Sequence, residues 1–313
     1  MTEVHMPNII DLHCDTLTAA YGNKRSLCCR EHHFSLDRLP KGFNWCQCMA
    51  IFIPDELRGQ VAADYFDAVH NFYREQLAEY SALIREIGVL SSVSEELPAS
   101  LFTSILTVEG GAVLAGDPAN VERLYNMGVR MLTLTWNDTN ELCGGVLSGG
   151  GFTQVGRDTV KRMEKTGVIV DVSHISDKGF AELCNFAQKP FIASHSNARS
   201  ICSHPRNLTD SMFCEIIDRR GIVGLNYYDN FIVDGGGSTD IADLIRHVHH
   251  FLELGGENVI ALGSDYDGAD MPPYICGIEH TQHLIDSLER SGIPKETVQK
   301  LLYKNAANFF KRL

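Results

Sequence analysis

Nothing in the 313-residue sequence approaches the roughly 18 consecutive apolar residues of a membrane-spanning helix. Its first residues, MTEVHMPNIIDLHCDT, lack the basic stretch and apolar core of a secretory signal. Its last, AANFFKRL, match no lipid-anchor pattern. The expectation is a soluble, cytoplasmic protein with no membrane partner. Positive charge is scarce too: 27 Lys and Arg stand against 40 Asp and Glu, a formal net charge of −13. That argues against nonspecific binding to nucleic acid. It leaves room for an acidic ligand where arginines and metal ions face a pocket. The ten cysteines include no two CxxC pairs that could frame a zinc knot, so they read as free thiols in a reducing compartment. No GxGxxG follows the first apolar run, and the glycine-rich stretch 144–151 lacks the Lys-Ser/Thr of a phosphate loop. That stretch reads instead as a flexible active-site loop. No linker or low-complexity tract divides the chain, which is expected to form one domain over 1–313.

Short apolar runs are present, at 8–15, 45–53, 104–109, 129–136, 168–174, 191–195, 222–227 and 259–265. They are rich in Val, Ile and Leu and nearly continuous, as in strands buried on both faces of a parallel sheet. Helical spacing of apolar residues lies between them, at 60–87, 153–165, 177–187, 210–220, 240–254 and 279–291. Asp210 and Asp240 are expected N-caps, and Gly167, Gly221 and Gly255 expected C-caps. Pro294 opens a terminal helix over 295–310. Eight strands alternating with helices predict a (β/α)8 TIM-type barrel with the C-terminal helix packing on it. An open doubly wound sheet is the alternative.

Five of the runs end in potential metal ligands. His13 and Asp15 close the first, Glu109 the third, His174 the fifth, His195 the sixth and Asp265 the eighth. Strand ends converge on one mouth in this fold, so the six side chains can meet there. A lone histidine after a strand is usually a core or capping residue, and either aspartate could cap a turn. But His13 and Asp15, two apart on a strand, project to one face. Independent structural roles would also have to place three imidazoles and three carboxylates at the same end of five strands. Imidazoles and carboxylates without clustered thiolates suit zinc or a similar divalent ion. Glu109 is the candidate bridge between two ions about 3.5–4 Å apart. The other histidines, His32, His33, His70, His247, His249, His250, His280 and His283, read as solvated or structural. His204 lies close enough to Arg206 to support it.

The segments Asp11-Leu12-His13-Cys14-Asp15-Thr16, Val108-Glu109-Gly110-Gly111 and Val170-Asp171-Val172-Ser173-His174 resemble the membrane (renal) dipeptidase family of the amidohydrolase superfamily. So do Ser194-His195-Ser196-Asn197-Ala198-Arg199 and Gly263-Ser264-Asp265-Tyr266-Asp267-Gly268. Each motif is weak alone. Five in the family's order, running from residue 9 to about 268, are highly specific. The resemblance implies two Zn2+ ions. His13 and Asp15 would hold the first, His174 and His195 the second, and Glu109 both. It also implies Asp265 as the acid/base residue, Arg206 as the anchor for the substrate carboxylate, and Tyr228 as an assistant. The substrates implied are dipeptides, including those with a C-terminal D-residue.

One segment departs from the family. Mammalian members have a substrate-contacting histidine in a Leu-Thr-His context, where this sequence has Leu134-Thr135-Trp136-Asn137-Asp138. Trp136 cannot ligate a metal, although its indole N–H, or the amide of Asn137, could donate to a carbonyl or oxyanion. Two rival readings follow: a deaminase, lactonase or phosphoesterase on the same scaffold, or a metal-binding scaffold without turnover. The sequence leaves open whether the chain forms a homodimer.

Overall fold

A computed structural model describes residues 8–93, 101–238 and 240–313. Nine strands run parallel: β1 (Asn8–Cys14), β2 (Asn44–Phe52), β3 (Ile84–Glu86), β4 (Phe102–Glu109), β5 (Met131–Thr133), β6 (Ile169–Asp171), β7 (Ile192–Ala193), β8 (Ile222–Leu225) and β9 (Ile260–Leu262). Eight of them close a ring, because β2 pairs with both β1 and β4 while β5 to β9 follow in chain order back to β1. This is the expected (β/α)8 barrel. The strands are buried on both faces, which is why they read as unbroken apolar runs rather than alternating ones.

β3 lies outside the ring and was not expected. It pairs with the start of β4, Ile84 opposite Phe102. The predicted helix over 60–87 therefore stops early, as α2 (Gly59–Glu79), after α1 (Thr16–Gly22). Apolar residues 83, 84 and 87 continue the helical spacing, but pairing with β4 wins over that local pattern. The remaining helices are α3 (Asn120–Asn126), α4 (Gln154–Thr166), α5 (Asp177–Phe186), α6 (Asp210–Asp218), α7 (Asp229–Ile232), α8 (Ile241–Glu253), α9 (Thr281–Arg290), α10 (Lys295–Gln299) and α11 (Asn305–Lys311). A π turn at Lys300–Lys304 joins the last two into the predicted terminal helix. This helix packs on β1, β8 and β9, and the Asn305 amide donates to the carbonyls of Glu257 and Ile260.

Two predicted caps move by one residue. Thr209, not Asp210, caps α6 by accepting from the Met212 N–H. Arg220, not Gly221, takes the left-handed conformation after that helix, at φ 59°. Asp240, Gly167 and Gly255 sit where expected. His247 is fully buried on the apolar face of α8, and His32 is buried as well, so neither is solvated.

Candidate active site

The short pairing of β5, β6, β7 and β9 matters at the barrel mouth. Each chain leaves the ladder two to four residues before its polar side chain, so the backbone is free to turn inward. His174 and Asp265 both do so in the left-handed region, at φ 69° and 65°. Such a conformation costs a non-glycine residue on the order of 1 kcal/mol and persists only where surroundings impose it. Close approach of the strands helps. A Cβ at Gly224 or Gly263 would fall 1.9 Å from the Ser194 carbonyl oxygen, so glycine at both positions lets β8 and β9 close toward the His195 segment.

The six predicted side chains meet at the mouth and are all buried. Glu109 lies at the centre. Its Oε1 is 2.8 Å from His174 Nε2 and 3.5 Å from His195 Nε2, while Oε2 faces His13 Nε2 at 3.7 Å. His13 Nε2 is 3.2 Å from Asp15 Oδ2 and 3.8 Å from Asp265 Oδ1. Ligand-type atoms of His13, Glu109 and His195, and separately of His13, Asp15 and Asp265, all lie within 4.8 Å of one another. A Cβ at Gly268 would sit 2.2 Å from Asp15 Oδ2 and 2.6 Å from Asp265 Oδ1, so only glycine leaves the space between these carboxylates open.

This arrangement fits cations. Asp15 Oδ1 is buried with no hydrogen-bond partner. The His195 and His174 Nε2 atoms point at each other across 3.0 Å. Ser194 Oγ donates its single proton to Asp171 Oδ2 at 2.6 Å, so it must accept from His195 Nδ1–H at 2.7 Å. His195 Nε2 then presents a lone pair to the cluster. His174 Nδ1–H donates to Asn137 Oδ1 at 2.9 Å, which leaves its Nε2 lone pair facing the same way. Lone pairs and carboxylate oxygens converging in a buried cluster repel one another unless positive charge lies between them. Burial pushes the Glu109 carboxyl well up and Asp265 up to about 6, while the carboxylates around His13 hold that imidazole at about 10 against the opposing effect of burial.

Above the cluster opens a cavity of about 820 Å3. Arg206 forms part of its wall. The guanidinium is buried, its Nε has no hydrogen-bond partner, and no carboxylate lies within ion-pairing distance among the described residues. Its support is a 3.4 Å bond to the His195 carbonyl and the Phe231 ring face 5.3 Å away. Burial lowers its pKa to about 10. Tyr228 lines the same wall, its hydroxyl accepting from Asn230. So does His204, whose Nδ1 accepts from the Arg206 N–H. Trp136 also lines the cavity, against Phe52 (4.9 Å between ring centroids) and His174 (6.1 Å). Asn137 spends its carbonyl on His174, so its first task is orienting that imidazole. Leu147 of the glycine-rich loop also reaches the cavity, and Val146 N–H ties that loop to the His174 carbonyl.

The family model described as membrane dipeptidase (peptidase family M19) matches residues 3–313. The chain belongs to this family. It is therefore a metal-dependent dipeptidase. A curated protein of Klebsiella pneumoniae, described as uncharacterized and encoded 5′ of pqqA, is 33% identical over 63% of this chain and 77% of its own length. An uncharacterized dipeptidase of Schizosaccharomyces pombe is 32% identical over 55% of this chain, which spans 43% of that protein. The crystal structure of a metallopeptidase from Rhodobacter sphaeroides, liganded with a phosphinate mimic of L-Ala-D-Ala, superposes with a TM-score of 0.92. It is 23% identical and covers 98% of this chain and 99% of the other. No helix among the described residues is long and apolar enough to cross a membrane.

Three residues of this dipeptidase site escaped the sequence reading. Asn226 donates to Asp265 Oδ2 at 2.9 Å and fixes that carboxylate. Asp11 accepts from the backbone N–H groups of His13 and Ser264. Asp171 does the same for Ser173 and Ser194. Both aspartates sit inside quoted motifs, and Asp11 alternates with His13 and Asp15 on one strand face. That alternation was the available signal. Asp267, by contrast, ties loops: it accepts from Thr16 Oγ1 and from the N–H groups of His33 and Phe34.

Proposed function

We propose that this family member is a binuclear zinc dipeptidase that anchors the substrate's terminal carboxylate on Arg206 and moves the proton of hydrolysis through Asp265. The observation that carries this reading is the Glu109 carboxylate, whose two oxygens face different imidazoles. In this reading His13, Asp15 and Glu109 hold one ion, and Glu109, His174 and His195 the other. Bound divalent ions would supply Lewis acidity, which acidifies water and polarises a carbonyl.

The remaining chemistry falls to the chain. Asp265, which burial makes a better proton acceptor than a free carboxylate, is placed to accept a proton and return it to the departing amine. Asn226 holds its second oxygen, which aims the first at the reacting centre. Arg206 is a buried cation awaiting an anion, and a bidentate pair with a terminal carboxylate restricts binding to short peptides. Tyr228 flanks that anchor. Trp136 lines the same cavity, and its indole N–H is free to donate to a substrate carbonyl. The Rhodobacter structure's L-Ala-D-Ala mimic supports extending the substrates to dipeptides with a C-terminal D-residue.

The test is metal analysis alongside turnover of L,L- and L,D-dipeptides and their C-terminal amides. The expectation is about two zinc ions per chain, as in two-metal hydrolases, with free dipeptides preferred over amides. Two bound ions with turnover of lactones or phosphoesters instead would move the chemistry to the rival class. One bound ion would remove Glu109 as a bridge.

A further inference from the structure

Beneath the metal-ligand cluster lies a carboxylate that touches neither the cavity nor the proposed ions. Asp171 ends β6 and is fully buried. Its Oδ1 accepts the backbone N–H of Ser173 at 3.0 Å and of Ser194 at 2.9 Å. Its Oδ2 accepts the hydroxyls of Thr133 and Ser194, both at 2.6 Å. Four donors thus converge on one side chain from β5, β6 and the segment after β7. Ser194 passes the consequence on. With its proton committed to Asp171, its oxygen can only accept from His195 Nδ1, at 2.7 Å.

We infer that Asp171 is a positioning residue that sets the tautomer of His195 through Ser194, keeping the proton on Nδ1 and the lone pair of Nε2 turned to the metal centre. The inference rests on the reading of His195 as a metal ligand and is independent of the substrate. An imidazole ligates through a lone pair, and its orientation follows the hydrogen bond made by its other nitrogen. A serine between carboxylate and imidazole transmits direction because it has one proton to give. Between Asp171 and His195 Nδ1, whichever receives that proton, the other must supply one; the third neighbour, Ser173 Oγ, is longer at 3.3 Å and already accepts the His195 backbone N–H.

The substitution Asp171→Asn reverses the relay without changing shape. Both backbone N–H groups bind Oδ1, so the new amide keeps its oxygen there and places its NH2 where Oδ2 was. That NH2 donates to the hydroxyls of Thr133 and Ser194. Ser194 then turns its proton onto His195 Nδ1, and the ring proton moves to Nε2, the nitrogen the metal needs. Asp11 provides the comparison. It too is a buried carboxylate below the centre, accepting from the N–H groups of His13 and Ser264 and from Gln47 Nε2, but it reaches no imidazole nitrogen.

The experiment uses the full chain, stripped of metal for nitrogen-15 NMR of the histidine rings and then titrated with Zn2+. Wild type and Asp11→Asn should show His195 protonated on Nδ1. Asp171→Asn should show it protonated on Nε2, with the affinity for one of two zinc ions lowered roughly 10- to 100-fold, the usual effect of disturbing a ligand's hydrogen-bond partner. Adding Ser194→Ala to Asp171→Asn breaks the reversed relay and should recover part of the lost affinity. A merely structural role predicts the opposite, with the double variant weaker than the single. An unchanged His195 tautomer in Asp171→Asn, or a double variant that binds zinc more weakly, overturns the inference. If Asp171→Asn does not fold, Ser194→Ala alone decides: the relay requires loss of the pure Nδ1–H form and a several-fold loss of zinc affinity, and no change in either refutes it. A wild-type chain that binds no zinc would refute the metal centre itself, while the ring tautomers would still report on the relay.

Discussion

Replacing Arg206 with methionine removes a charge while keeping an unbranched side chain of similar reach. The guanidinium is buried beside the cavity without a carboxylate partner, and burial holds its pKa at about 10 instead of 12.5. At about 1.4 kcal/mol per pKa unit, the folded protein bears a cost of roughly 3 kcal/mol for the charged form at any pH below 10. Against this stand the contact with the Phe231 ring, worth about 0.5–1 kcal/mol, and the long bond to the His195 carbonyl, worth no more. Arg206→Met should therefore stabilise the substrate-free enzyme by about 1–2 kcal/mol, a rise in Tm of a few degrees. Catalysis should move the other way. Two charge-assisted bonds between a buried guanidinium and a carboxylate contribute roughly 3–5 kcal/mol, so kcat/KM for free dipeptides should fall about 10²- to 10⁴-fold. Dipeptide amides, poor substrates of the native enzyme, should change little, so the preference for the free acid collapses. Thermal melts and steady-state kinetics on both substrates measure this. A variant that melts well below wild type yet still prefers the free acid would show that the guanidinium is structural and the anchor lies elsewhere.

Three further expectations follow from the same geometry. Asp265→Asn keeps the bond to Asn226 possible but removes the proton acceptor, so kcat should drop about 10²- to 10⁴-fold with metal content retained; native turnover in a zinc-loaded variant would dismiss Asp265 from the mechanism. Glu109→Gln should release zinc from both positions, because an amide bridges two cations poorly; full retention of both ions on metal analysis would remove it as the bridge. His247 is held neutral by burial at about 4, donating from Nε2 to the Ile232 carbonyl and accepting from the Ala198 N–H at Nδ1. The unfolded chain binds this proton more tightly, so its contribution is complete above pH 6.5 and is lost as pH falls toward 4, about 2 kcal/mol between pH 7 and pH 5. Urea unfolding at those two pH values should show a smaller difference in His247→Gln than in wild type, and equal differences would contradict the assignment.

What could be read in the sequence, and what could not, divides along a physical line. Strand cores and the polar side chains that meet at the mouth were legible because burial on both faces of a parallel barrel leaves long apolar runs, and a polar residue ending such a run stands out. The ends themselves were less legible. The run over 168–174 pairs only at Ile169–Asp171, and the three residues that swing His174 inward belong to no ladder. Ile84–Glu86 read as helix because nothing local distinguishes a short outer strand from a helix tail; its pairing with β4 is a long-range fact. His247 was legible in principle, since it alternates with Leu244, Val248 and Phe251 on one face of α8. Asp171 and Asp11 were not singled out, because a carboxylate in a motif looks like a ligand or a cap until its donors are seen. Trp136 and Asn137 fell at the cavity as expected, but the task of the Asn137 carbonyl, orienting His174, depends on a contact between two separate loops.

The electrostatics of the floor explain why such a centre belongs on an acidic protein without contradiction. Asp15, Glu109 and Asp265 are buried together, and Arg206 is the one guanidinium facing them among the described residues. Were all three carboxylates ionised with neutral imidazoles, like charges would crowd into one buried cluster and repel. Protons are the cheapest available remedy: Glu109 is driven toward its protonated form, Asp265 to about 6, and His13 is held as a cation. Divalent ions would be the better remedy, because they could meet the lone pairs of both His174 and His195, whereas a proton on Glu109 Oε1 can be donated to only one of them. Metal and proton therefore compete for the same atoms. Loading a divalent ion there would release protons, and its affinity would rise with pH as those protons are lost.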